Sequence, residues 1–396
     1  MGAVREVSRD IWPATCPNCG SEDIAQLREA DDRQSLVVTS DGQAIPDIRA
    51  RRVVCRSCAC LGVHILPEDR LHRFFSETYD LSDTVQDHPI VLNGRVVGKH
   101  FRVEEALWAA VEEGLPATGR MLEIACGRGD LIRGFQTRHP GWDCVAVDPS
   151  AESAQALAGQ PLGIRHVREF FREALFPGLS FDLIVAHGLL NRTPVLPALR
   201  AMRAVSTPSA ILSLDLLILE GSVCTPHVWD HSQMYTQPSF EQYVRHCGFD
   251  VCRATDCVTS VHFLCRRDHR EAGTPLPGEE ESRKAEGLFR AHERFWTDVA
   301  QRMDRVVEQV AGQPLALFGA GMYSAVLLSL RRPPGLSLVL DEYKAGSAFH
   351  GLPVVTPAQA APDRPLVLVC ARSAYAGVIQ DKLAALGLDH VVLTPP

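Results

Sequence analysis

Apolar residues along the chain fall into two alternating series of short buried runs and amphipathic stretches, separated by one charged break. In the first series Met121, Leu122 and Ile124 read as a buried strand, and the stretch from Leu131 to Arg138 as the helix after it. Strand-like runs follow at Cys144–Asp148, Gly163–Val167, Phe181–His187 and Ala210–Leu219, with a helix over Glu152–Leu157 between the first two. A helix over Ser239–Gly248 leads to strands at Phe249–Cys252 and Val261–Cys265. Strands alternating with helices predict an α/β fold, a doubly wound Rossmann-like parallel sheet whose ligands sit outside the carboxyl ends of its strands.

The stretch from Arg266 to Glu281 is charged and rich in proline and glycine, and reads as a linker. A long amphipathic helix from Arg283 to Val310 is expected next, with Leu288, Phe295, Val299, Met303, Val306 and Val310 on one face. The second series comprises Leu315–Gly321, a helix to Leu330, Leu336–Asp341, Leu366–Cys370, a helix to Leu386 and His390–Leu393. It predicts a smaller C-terminal α/β half-Rossmann unit. Near the N-terminus, Ser35–Thr39 and Ile48–Cys55 suggest a small β-ribbon, and a helix is expected from Arg102 to Glu113. The chain thus divides into an N-terminal unit over 10–76, a core over 77–268 and a C-terminal unit over 283–396.

The turn between the first core strand and its helix carries the chemistry. It reads Glu123-x-Ala125-x-Gly127-x-Gly129, and Asp148 ends the next strand nineteen residues after Gly129. Glycines at such a turn let a ligand approach the main chain and the helix amides. An acidic residue ending the second strand takes the hydroxyls of a ribose. A dinucleotide fold usually shows Gly-x-Gly-x-x-Gly instead. Glu123, two places before the turn, suits a cationic aminoacyl ligand better than a pyrophosphate. At other strand ends, Glu169 and Phe170 are placed to flank adenine, and His187 to face the reacting centre.

Two Cys-x-x-Cys pairs, Cys16/Cys19 and Cys55/Cys58, can present four thiolates to one tetrahedral ion and read as a structural Zn²⁺ site. A redox dithiol needs only one such pair, and Cys60 is a spare thiol. Gly319-x-Gly321-x-x-Ser324 with Asp341 is a partial dinucleotide fingerprint, for which a docking or substrate-covering role is the preferred reading.

Composition narrows the partners. The 396 residues suit two or three domains, and 46% hydrophobic content is ample for packed cores. Forty basic against 48 acidic side chains leave a net charge of −8 without a long basic run. That argues against nucleic acid and for a small-molecule substrate. The longest apolar run, Leu212–Leu219, is interrupted by Ser213 and Asp215 and is far shorter than the roughly 20 residues that span a bilayer, so no membrane is expected. Thirteen cysteines and an N-terminus without a signal-peptide pattern point to reduced thiols and a cytoplasmic protein. Oligomeric state stays open.

The glycine turn resembles motif I of class I S-adenosylmethionine-dependent methyltransferases, with Ala125 in place of the first glycine. Zinc ribbon, methyltransferase core and C-terminal half-Rossmann, in that order, resemble the nucleotide-sugar C-methyltransferases of antibiotic deoxysugar pathways. The sharpest local match is Val228-Trp-Asp-His231-Ser-Gln-Met-Tyr235, similar to a Tyr-His-Glu-His-x-x-Tyr segment of that family. The resemblance implies that His231 is a general base with Asp230 as its acidic neighbour, and that Tyr79 is an active-site tyrosine. Asn191 falls where the family has a further histidine, and the family's C-terminal Gly-Ala-x-x-Lys-Gly loop here lacks its lysine. The implied activity is methyl transfer to carbon on a nucleotide-linked keto-deoxysugar or related intermediate. Transfer to oxygen or nitrogen, or a non-catalytic cofactor-binding scaffold, are the alternatives.

Overall fold

The structure, a computed structural model, describes residues 12–31, 37–45, 48–67, 69–79, 90–92, 95–97, 114–159, 163–257, 260–268, 273–310 and 312–394. The helix expected from Arg102 to Glu113 lies outside these residues.

β1 (Ile24–Asp31), β2 (Arg49–Cys55) and β3 (Leu61–Leu66) form an antiparallel meander. Its fourth strand, β11 (Gln233–Met234), comes from far along the chain and pairs with Leu61 and Gly62 of β3. The N-terminal unit is therefore built in part from the core segment, which periodicity in residues 10–76 could not disclose. Among the described residues, the strand expected at Ser35–Thr39 is reduced to a bridge between Val38 and Ala44. β4 (Ile90–Leu92) and β5 (Arg95–Val97) form a separate hairpin.

The core contains β6 (Arg120–Ile124), α1 (Asp130–Arg138), β7 (Asp143–Val147), α2 (Ala151–Leu157) and β8 (Arg165–Val167). It continues through β9 (Phe181–His187), α3 (Val195–Ala204), β10 (Ser206–Leu216), α4 (Gln237–His246), β12 (Phe249–Cys257) and β13 (Ser260–Arg267). Across the sheet the order is β12-β13-β10-β9-β6-β7-β8. Counted in chain order this is 3-2-1-4-5-7-6 read from the β8 edge, with β13 antiparallel to both its neighbours. Alternation along each strand explains the two-sided winding. Leu122, Ile124, Ile184 and Ala186 enter the apolar cluster of one face. Met121, Leu183 and Val185 pack on the other with Ile132, Phe135 and Trp142. The strand order reverses between β6 and β9, so the ligand crevice opens beyond their carboxyl ends.

α5 (Glu279–Gln309) starts earlier than expected, with Glu279, Glu280 and Glu281 at the positive end of the helix dipole. Its innermost stripe is Ala285, Phe289, His292, Trp296, Val299 and Met303, one position round from the expected face. The shift follows from two partners: Ala285 and Phe289 pack with Leu27, Val54 and Leu61, whereas Trp296, Val299 and Met303 pack with the C-terminal sheet. That sheet holds β14 (Leu315–Phe318), β15 (Leu336–Leu340), β16 (Ala348–Phe349), β17 (Leu352–Val355), β18 (Leu366–Val369) and β19 (His390–Val392). All but β16 run parallel, in the order β17-β15-β14-β18-β19.

Candidate active site

β6 ends at a turn in which Ala125, Gly127 and Gly129 have φ values of 56°, 54° and 76°. Ala125 adopts the left-handed region despite its side chain, the backbone that a glycine accepts at no steric cost. A Cβ on Gly129 would lie 2.5 Å from Leu157 Cδ2, so the turn packs directly against α2. Two carboxylates brace it. Asp148 accepts from Gly127 N at 3.0 Å and from Ser150 N at 2.9 Å. Glu123 is 5% exposed and accepts from Ile132 N, in the first turn of α1, at 3.0 Å. Burial raises the Glu123 carboxyl to about 8, and Asp148 and Asp130 add to the effect. Glu169 and Phe170 are exposed at the rim, where the Phe170 ring lies 4.5 Å from that of His72.

The turn opens into a cleft of about 1330 Å³ lined by the core, by β3 and the segment after it, and by Met322. This volume exceeds the roughly 300–1,000 Å³ typical of one bound small molecule, leaving room for two.

Deeper in the cleft the structure gathers Tyr79, His187 and His231. It separates the other two residues expected with them. Asn191 is 1% exposed and donates to Leu217 O (2.9 Å) and Gln233 O (3.1 Å) while accepting from Leu217 N (2.8 Å). Its whole amide is spent on tying β10 to β11, and it does not line the cleft. The next residue, Arg192, reaches in instead. Asp230 is fully buried and does not back His231: it accepts from Ser40 N (2.8 Å) and Ser40 Oγ (2.5 Å) and faces Arg192 Nε at 3.6 Å. Asp230 lies in a tight turn whose carbonyl accepts from Ser232 N, and the turn sends its side chain to Ser40 and Arg192.

Arg192 Nη2 donates to both Ser40 Oγ and Tyr79 Oη at 3.0 Å. Because the Ser40 proton goes to Asp230, the tyrosine proton is left with only a 3.3 Å contact to Ser40 Oγ. Burial raises the phenol above its ordinary value. Tyr79 is therefore a protonated donor held in place by Arg192, Ser40 and Asp230. Arg52, fully buried under β11, donates to the carbonyls of His231 (2.8 Å), Pro226 and Val228 (both 3.1 Å) and fixes the loop that carries His231. His231 is 2% exposed; burial, with Arg192 and Arg52 adding, holds it well below the usual imidazole value. Its Nδ1 has no partner among the described residues. On the opposite wall, Ser213 Oγ lies 3.0 Å from His187 Nε2 and 2.9 Å from His262 Nε2. One hydroxyl proton serves two rings, so one ring nitrogen donates where the other accepts. Ser40, Arg192, Arg52, Ser213 and His262 carry no motif at the sequence level; the fold alone assembles them.

Behind β3 the sulfurs of Cys16, Cys19, Cys55 and Cys58 all lie within 4.8 Å of one another. Cys16–Cys58 and Cys19–Cys55 are 3.8 and 3.6 Å apart. A zinc–sulfur bond of about 2.3 Å implies a tetrahedral edge near 3.8 Å. Asn18 donates to Cys16 Sγ and Cys58 Sγ and accepts from Leu196 N in the first turn of α3. Cys60 turns away to Gln233 Oε1. In the C-terminal sheet Asp341 accepts from Ala320 N, Tyr343 N and Lys344 N, and Lys344 Nζ donates to Ala320 O. That glycine turn is closed on itself. No helix among the described residues is long and apolar enough to cross a membrane.

A family model described as a methyltransferase domain matches residues 102–254. No curated protein sequence matches the chain. Solved structures similar to it include the plantazolicin methyltransferase BpumL in complex with a monoazolic desmethylPZN analogue and SAH (12% identity, 42% of this chain and 82% of that one, TM-score 0.35). An S-adenosylmethionine-dependent methyltransferase from Mesorhizobium loti is 16% identical over 41% of this chain and 98% of its own (TM-score 0.34). The [4+2]-cyclase SpnF is 12% identical over 46% and 87% (TM-score 0.38). The chain thus carries a methyltransferase domain, matched over residues 102–254, and its sheet of order 3-2-1-4-5-7-6 is built from strands between Arg120 and Arg267.

Proposed function

We propose that this S-adenosylmethionine-dependent methyltransferase alkylates a carbon next to a carbonyl in a small biosynthetic intermediate, with His231 as the general base. The resemblance to sugar C-methyltransferases implies a nucleotide-linked keto-deoxysugar as that intermediate. S-adenosylmethionine, when bound, supplies an electrophilic methyl group. Glu123 and the amides of the Gly127–Gly129 turn are assigned to its aminoacyl end, Asp148 to its ribose, and Glu169 and Phe170 to its adenine. A structural Zn²⁺ held by Cys16, Cys19, Cys55 and Cys58 belongs to the same reading, as does the division of the chain into three units. The sulfur spacing and the two Asn18 donors support the metal.

The observation that carries the base assignment is a neutral, buried imidazole whose Nδ1 has no partner among the described residues and which lines the same cleft as the glycine turn. Only the neutral form can take a proton. An oxygen or nitrogen acceptor needs little beyond positioning, whereas a carbon acceptor must first become an enolate. In this reading His231 removes the proton from carbon, and the Tyr79 hydroxyl donates to the oxygen on which negative charge grows. Arg192, Ser40 and Asp230 are positioning residues that hold Tyr79. His187 faces the reacting centre from the other wall, and Asn191, fixed between β10 and β11, has no part in the chemistry.

His231→Ala should lower kcat by on the order of 10²–10⁴, the usual worth of a general base, with cofactor affinity unchanged. In deuterated water the wild type should exchange the acceptor's carbon-bound hydrogen before methyl transfer, and the variant should not. Absence of exchange in the wild type together with an active variant would establish a heteroatom acceptor and leave His231 a structural residue.

A further inference from the structure

Electrostatics and wall chemistry of the whole cleft narrow what can lie beside the cofactor. Six carboxyl groups line the cleft (Glu123, Asp130, Asp148, Glu169, Glu173 and Asp215), of which burial keeps Glu123 largely protonated at neutral pH, against three guanidinium groups, Arg128, Arg172 and Arg192, and no lysine. Each of the three already faces a carboxylate: Arg128 with Glu152 at 3.1 Å, Arg172 with Glu169 at 3.6 Å, Arg192 with Asp230 at 3.6 Å. Helix N-termini, the other common phosphate holders, each have one amide engaged as well. Ile132 N of α1 donates to Glu123, Ser153 N of α2 to Ser150 Oγ, and Leu196 N of α3 to Asn18 Oδ1. His64, another ring of the lining, has Arg51 on one nitrogen and the Thr15 carbonyl on the other. A net-acidic cleft suits a cationic cofactor and repels a polyanion.

Apolar groups from two elements also line the cleft. Pro13 and Pro17, from the segment around the first cysteine pair, and Val63 and Ile65 of β3 do so alongside Thr15 and His64, and Pro197 and Ala201 of α3 line it too. The two elements are fastened together by the Asn18–Leu196 hydrogen bond.

Resting on the methyl-transfer reading above, we infer that the acceptor bears no phosphate. It is an uncharged keto compound with an apolar body lying between β3 and α3, its carbonyl end at Tyr79. The N-terminal sheet is then half of the acceptor site, and the nucleotide part of the resemblance does not carry over.

The test uses the full-length chain saturated with S-adenosylhomocysteine. Straight-chain methyl ketones from 2-butanone to 2-nonanone are titrated by calorimetry, with thymidine diphosphate as the anionic probe. Affinity should rise about two- to fourfold for each added methylene over several carbons, as the chain leaves water for the channel. Thymidine diphosphate should neither bind at millimolar concentration nor displace a ketone. Ala201→Phe, which narrows the channel from a half-buried position on α3, should flatten the series, and the smaller change Val63→Thr should weaken the longer ketones alone. A series that is flat in the wild type, or a diphosphate that displaces the ketones, overturns the inference. Failure of S-adenosylhomocysteine itself to bind would instead sink the methyltransferase reading, so the two are told apart.

Discussion

Replacing Glu123 by glutamine examines the cofactor end through a proton rather than through turnover. Burial holds the Glu123 carboxyl at about 8, so at pH 7 it keeps its proton in about nine molecules of ten. The ammonium of an aminoacyl group placed beside it favours the carboxylate. Binding should therefore release up to about 0.9 proton at pH 7. The folded, ligand-free protein binds more protons than the complex below pH 8, so affinity should climb with pH up to about 8, approaching tenfold per unit, and then level. Affinity alone discriminates poorly. Ionising the carboxyl one unit below its pKa costs about 1.4 kcal/mol, while a charged hydrogen bond returns about 1.5–3 kcal/mol, so Glu123→Gln should weaken binding by at most about fifteenfold. Calorimetric titration of S-adenosylhomocysteine in phosphate and in Tris at pH 7 reads the proton directly. The wild-type enthalpies should differ by nearly the whole difference in buffer ionisation enthalpy, and the variant's should coincide. Equal wild-type enthalpies in the two buffers would refute the placement of the ammonium at Glu123.

Asp148→Ala removes the carboxylate assigned to the ribose along with a brace on Gly127, and should weaken S-adenosylhomocysteine binding at least tenfold; calorimetry checks it, and an unchanged constant contradicts the assignment. Metal analysis of the purified chain should give close to one zinc, and Cys55→Ser should lower the melting temperature before it alters the reaction; a metal-free chain of ordinary stability would count against the site. Asn191→Ala strands Leu217 N, Leu217 O and Gln233 O, and should cost about 2–4 kcal/mol in urea unfolding; full stability with a large fall in kcat would return Asn191 to the active site.

Sequence alone settled what depends on local pattern. The strands of the core, the glycine turn and Asp148 could be read because a buried strand and a tight turn each impose a short-range signature on residue type. The two cysteine pairs were legible for the same reason, since each knuckle is a four-residue motif. Even the end of α5 was placed within a residue, and Val299 and Met303 of its inner face were read correctly, whereas Ala285, Phe289, His292 and Trp296 were not, because that face is decided by two separate packing partners. What only tertiary structure decided is everything that joins distant stretches. β11 completes the N-terminal sheet with two residues, too few for any periodicity to register. The Arg192–Ser40 hydrogen bond spans 152 positions, and the Arg52 bond to the His231 carbonyl spans 179. Asp230 and Asn191 were identified as candidate residues, yet their partners were not. A side chain's chemistry is written in its own code, but which way the local backbone turns it is set by what packs behind. Here Ser40 and the backbone of Leu217, elsewhere in the chain, claimed both groups before any substrate could.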